Sequence, residues 1–211
     1  MLVIKKKLVG LTLIEMLMAI AIFAIGLAGF SQLFINTWRN NAYAIEMGES
    51  ALVVSQGINK TVSYIRKVCQ GDDGSYPIKS ANGNDLVVYA DYKKDGIVER
   101  LHFYLINGTL FMGIANPTQT LPKTYPLSDE QAIVLATKIV NTSSEPIFYY
   151  YNNNYPGDTT NNPLSSPVHI SVIRLVQIHL KININPNRAP DNIEMRSFVE
   201  MRNLNDYAGV K

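Results

Sequence analysis

Lys5-Lys6-Lys7-Leu8-Val9-Gly10-Leu11-Thr12-Leu13-Ile14-Glu15 is followed at once by an apolar run. Three cations, one glycine and one carboxylate therefore stand at the head of a membrane-length segment. From residue 16 to residue 38, 23 consecutive residues carry no formal charge. At about 1.5 Å rise per residue, a helix of that length reaches roughly 34 Å, enough to cross a hydrocarbon core of about 30 Å. A lone carboxylate just inside such a segment is costly, so Glu15 is expected to have a task.

Two plainer readings compete. A secretory signal peptide has an apolar core of about 7–15 residues and a small-x-small cleavage site. Ala19-Ile20-Ala21 imitates that site. The apolar run continues well past it, however, and Glu15 would interrupt the core. An uncleaved membrane anchor is the other reading, and it stays open.

Gly10-Leu11-Thr12-Leu13-Ile14-Glu15 resembles the processing site of type IV prepilins and the related pseudopilins of type II secretion. The resemblance implies a basic leader ending at Gly10, cut on the cytoplasmic face by a prepilin peptidase. It implies a new N-terminal amine on Leu11, which is methylated, and an assembly role for Glu15. The family most often has Phe where this chain has Leu11; Leu keeps the apolar character. In the family the glutamate pairs with the amine of a neighbouring subunit. By helical spacing, Glu15 lies one turn from the Leu11 amine on the same face, so pairing with its own terminus is the alternative. Either pairing lowers the cost of an amine in or beside lipid, put at about 2.5 kcal/mol upward.

Lys5, Lys6 and Lys7 would hold the N-terminus in the cytoplasm by the positive-inside rule, leaving the rest of the chain extracytoplasmic. Without those three lysines the formal charge falls from +2 to −1. A near-neutral chain offers no basic field for nucleic acid. Cys69 is the only cysteine, so no intrachain disulfide forms; a buried, apolar role on the helix is expected of it.

No proline precedes Pro77, which permits one helix from about Leu11 to about Gln70. Its first half is apolar all round. Its second half turns amphipathic: Trp38, Ala42, Ile45 and Leu52, then Val54, Ile58, Val62, Ile65 and Cys69, recur at near-helical steps. Gly71-Asp72-Asp73-Gly74 is expected to end it. Beyond Tyr76 the period changes. Strands are expected at 86–90, 97–105, 110–114, 133–140, 146–151, 170–184 and 193–202, with Asn107-Gly108 as a hairpin turn. Stretches 116–128 and 152–167, rich in Pro and in Asn, Thr, Ser and Pro respectively, read as surface loops.

The fold class is therefore α+β and, by resemblance, pilin-like: a long N-terminal helix with a membrane-spanning first half, followed by an antiparallel β-sheet domain. The divisions are a leader at 1–10, a transmembrane or filament-core helix at 11–38, its amphipathic continuation at 39–70 and a β-rich globular domain at 71–211. A resemblance of the late strands to minor pilins and to the tip pseudopilin of type II secretion is more diffuse.

Other chemistry finds little support. Asp91-Tyr92-Lys93-Lys94-Asp95-Gly96 with Glu99 has some oxygen donors of a calcium loop, but Lys93 falls on a ligand position and repels the ion. It reads as a turn. His102, His169 and His179 lack metal spacing, and His102 and His179 are expected on solvated strand faces. Tyr149, Tyr150 and Tyr151 are expected to split between core and rim. No catalytic constellation, metal or cofactor is expected. The expected partners are other pilin-like subunits, the prepilin peptidase, an assembly platform, a motor ATPase and the lipid bilayer. The chain has no phosphate-binding GxxxxGK[ST] loop, so the motor would be another protein. A membrane-anchored binding module that does not polymerise is the competing function; an exported enzyme is disfavoured.

Overall fold

The computed structural model describes residue 10 and residues 12–185 and 192–205. Among the described residues the order is one long helix, eight strands with a 3-10 turn before the seventh, and a closing helical turn. By contacts the chain divides into two compact units, Met1–Glu46 and Met47–Lys211.

Helix α1 spans Leu13–Ile65 and runs through both units. In the first unit every described residue from 12 to 42 is exposed. Trp38 and Ile45 are exposed too, as is Leu52 in the second unit, so this part of the expected buried stripe lies on open surface. Farther along α1 the expected stripe is buried at Val54, Ile58 and Ile65, with Val62 packed against the core, and Met47 and Thr61 are buried as well. Gly57 lies on that face for a steric reason: an added Cβ would stand 2.5 Å from the carbonyl oxygen of Leu135. Helix and sheet approach closely only because the side chain is missing.

The helix stops earlier than expected. After Ile65 the chain turns, and the Cys69 amide donates to the Tyr89 carbonyl at 2.9 Å. Cys69 thus lies beyond the helix, half-buried beside the sheet. A backbone bond to a strand replaced one more helical turn.

Five strands form an antiparallel meander in sequence order: β1 (Ile78–Ala81), β2 (Asp85–Ala90), β3 (Glu99–Ile106), β4 (Thr109–Ala115) and β5 (Gln131–Ala136). The β3–β4 turn is Asn107-Gly108, with φ of 49° and 71°; these positive values match the right-handed twist of a tight hairpin. A second antiparallel meander holds β6 (Phe148–Tyr151), β7 (Leu175–Ile182) and β8 (Ile193–Glu200). The expected strand at 170–184 begins late, because Ile170–Val172 coil into a 3-10 turn.

The α+β architecture is therefore the expected one, with the β-region built as two sheets. Both bury a shared core with the C-terminal half of α1. Val54, Ile58 and Ile65 meet Leu86, Val88, Leu101, Phe103, Met112, Val176, Ile178 and Leu180. Full burial of one such side chain contributes about 1.5–3 kcal/mol. Polar seams join the sheets: the Phe148 amide donates to the Gly83 carbonyl at 2.8 Å, and the Val140 amide to the Lys181 carbonyl at 2.9 Å. The closing turn, Arg202–Asn205, buries Leu204, and Asn203 donates to the Val68 carbonyl at 2.9 Å.

Candidate functional site

The candidate site is the head of α1. Leu13 is the first helical residue, so Thr12 is the N-cap and Glu15 the third residue of the first turn. Helix starts leave backbone N–H groups without partners. Here they are served reciprocally. The Thr12 amide donates to Glu15 Oε2 at 2.9 Å, and the Thr12 hydroxyl donates to the same oxygen at 2.8 Å. The Glu15 amide donates back to Thr12 Oγ1 at 3.4 Å. This is a capping box, and the T-x-x-E spacing that encodes it is present at residues 12–15. A carboxylate in the first turn also favours the positive end of the helix dipole.

Thr12 is thus the residue that the sequence reading left without a role. Its signal was legible, but Glu15 had been assigned to an amine. The two roles are compatible. Both bonds from Thr12 fall on Oε2, which leaves Oε1 without a partner among the described residues.

Gly10 is exposed, with nothing within 4 Å of an added Cβ. Leu11, the expected site of cleavage and methylation, and Lys5, Lys6 and Lys7, the expected topology signal, lie outside the described residues. Downstream of Glu15, Met16, Ile20, Phe23, Ile25, Phe30 and Phe34 are all exposed. This segment is long and apolar enough to cross a membrane. An apolar surface of this extent is stable in water only when something covers it.

The remaining sequence candidates scatter over the second unit. The turn after β2 is organised by Asp91, whose carboxylate accepts the amides of Asp95 at 3.2 Å and Gly96 at 3.1 Å. Its oxygens are thereby engaged in the turn. Among the described residues, no group of three or more His, Cys, Asp or Glu is placed to hold a metal ion. His169 is exposed, but the other two histidines are not solvated as expected. His179 is buried because β7 is the middle strand: Arg196 of β8 pairs opposite it, and the Tyr149 ring of β6 lies 6.1 Å away. His102 is bracketed by two carboxylates. Tyr150 and Tyr151 are buried while Tyr149 is half-exposed, the expected split. Burial pushes the Cys69 thiol pKa up, which disfavours a reactive thiolate.

Compared with known proteins, residues 10–31 match the family described as the prokaryotic N-terminal methylation motif. No curated protein and no solved structure matches the chain.

Proposed function

We propose that this chain is a structural subunit of a type IV pilus or type II secretion pseudopilus, made as a prepilin and assembled after its leader is removed. The methylation motif supports a type IV pilin-like prepilin processed by a peptidase, and such families are structural. The long apolar helix is consistent with a membrane anchor. Minor-subunit status, polymerisation and the partners go further, as does an N-terminus on the cytoplasmic side; these belong to the proposal.

One observation carries it: within the matched residues, a carboxylate stands one turn from the expected new terminus, ahead of an apolar helix exposed on every side. Cleavage after Gly10 gives Leu11 a cationic amine. Glu15 then neutralises an amine, and in our reading that amine belongs to the neighbouring subunit, so the carboxylate sets register. The apolar helices first dissolve the subunit in lipid and later pack together in the filament. A motor ATPase supplies the work of extraction. Lys5, Lys6 and Lys7 keep the leader at the cytoplasmic face until the peptidase acts.

Intact-mass analysis and N-terminal sequencing of the protein from a host with its prepilin peptidase test this reading. A chain beginning at methylated Leu11 is expected. A retained leader would leave an anchored binding module instead. Glu15→Gln is expected to insert and be cleaved yet to be depleted from sheared filaments; normal incorporation would remove Glu15 from the assembly mechanism.

A further inference from the structure

A second polar centre lies on the outer face of the five-stranded sheet, far in sequence from the methylation motif. His102 of β3 has both ring nitrogens against carboxylates. Nε2 is 2.6 Å from Asp85 Oδ2, and Nδ1 is 2.9 Å from Asp129 Oδ2. A neutral imidazole carries one N–H, so at these distances its other nitrogen would set a lone pair against a carboxylate oxygen. Only the imidazolium donates to both.

Asp129 also faces a second cation. Its Oδ1 lies 2.8 Å from the guanidinium of Arg100, which is almost fully buried and permanently charged. Arg100 also donates to the carbonyls of Pro126 and Ser128. The floor is Gly113 of β4, directly opposite His102; a Cβ there would collide with the Asp129 carboxylate. The missing side chain makes room for the charge.

The other groups that face His102 come from three strands. On β2, Asp85 also approaches Ser80 at 3.5 Å. On β1, Lys79 lines the same hollow and opposes the added proton. On β3, the Tyr104 ring lies 4.5 Å from the imidazole. With His102 protonated, the cations His102 and Arg100 match the carboxylates Asp85 and Asp129 in number, and Lys79 adds a further positive charge to the hollow.

We propose that His102 is a proton-operated clasp: doubly protonated, it ties the 116–130 segment through Asp129 to β2 through Asp85, and losing its proton leaves Asp129 held by Arg100 alone and loosens the neighbouring Glu130 from β4. Asp85 first, then Asp129, raises the imidazole pKa above its ordinary value, against the opposing effect of burial. A raised folded-state pKa means stabilisation that is complete below the ordinary histidine pKa of about 6.5 and is lost as pH rises through the folded value. The loosening is local. Arg100 keeps its bonds to the segment, the Tyr125 hydroxyl still donates to the Val98 carbonyl at 2.6 Å, and Lys123 still pairs with Asp72 at 2.6 Å.

The test uses the full chain in detergent micelles. Imidazole nitrogen shifts are followed by NMR as pH rises, with the protection factor of the Glu130 amide, which donates to the Ile114 carbonyl at 2.9 Å, measured alongside. A midpoint above about 6.5, with both ring nitrogens protonated below it, is expected. Protection of the Glu130 amide is expected to fall by up to about tenfold per pH unit between 6.5 and that midpoint. In His102→Gln that pH dependence should vanish, leaving protection low throughout. If this variant does not fold, Asp85→Asn serves, since it keeps His102, Asp129 and Arg100; its His102 midpoint is expected to drop. A midpoint at or below 6.5, an unmoved midpoint in Asp85→Asn, or pH-independent protection of Glu130 in the unsubstituted chain would each overturn the clasp.

Discussion

Glu15 caps α1 in the geometry around it, a second job in assembly is proposed for it, and single substitutions separate the two. Gln at the third helical position still closes a capping box, so Glu15→Gln removes charge and keeps the cap. Thr12→Ala removes the cap and keeps the charge, at a cost of about 1 kcal/mol to the first turn. Hydrogen exchange in micelles should therefore show fraying of residues 13–16 in Thr12→Ala and little change in Glu15→Gln. If register depends on charge, filament incorporation should rank the other way, with Glu15→Gln the poorer. Poorer incorporation of Thr12→Ala than of Glu15→Gln would mean that the cap, rather than the carboxylate's charge, governs assembly. His102 makes a related point at the same scale. Its strand position is readable from alternation, but its two partners lie 17 and 27 residues away, one of them in a loop. No local pattern announces them.

At the scale of elements, α1 presents two glycines with opposite expected responses. An alanine at Gly48 meets nothing within 4 Å, so it should gain helix propensity, up to about 1 kcal/mol. At Gly57 the same gain is opposed by backbone: the Leu135 carbonyl cannot swing away as a side-chain tip does. Overpacking of this kind costs about 1–3 kcal/mol, so the clash should win. Thermal unfolding should show Gly57→Ala melting lower and Gly48→Ala level or slightly higher. A Gly57→Ala variant as stable as the parent would mean that the helix is not seated against β5 as described. The strands were easier to read than the helix end. Alternation at Leu101, Phe103 and the odd-even pattern of 193–200 reflects one buried face, a property each strand carries by itself. Where α1 stops depends on Cys69 finding Tyr89, which is a long-range bond.

For the whole molecule, every residue of the shared hydrophobic core lies at or beyond Val54. A fragment beginning at Met47 should therefore fold cooperatively without detergent, while the full chain, with its exposed apolar helix, should require it. Calorimetry and amide dispersion of the fragment check this. A fragment that is molten would show that residues before 47 are needed to complete the core.

Some of this was settled by local chemistry. Charge, a glycine, a carboxylate and 23 uncharged residues in a row mark the methylation motif and a membrane-length helix, because motif and lipid solubility are properties of one continuous segment. Alternation and Asn107-Gly108 likewise mark strands and a hairpin wherever they occur. Folding alone decided that the strands divide into two sheets, that Gly57 is a contact rather than a weak point, that His179 is covered, and that Asp85, His102, Asp129 and Arg100 meet over a bare glycine. Those outcomes depend on which surfaces find each other across tens of residues. Packing and charge compensation act through space, and distance along the chain does not encode them.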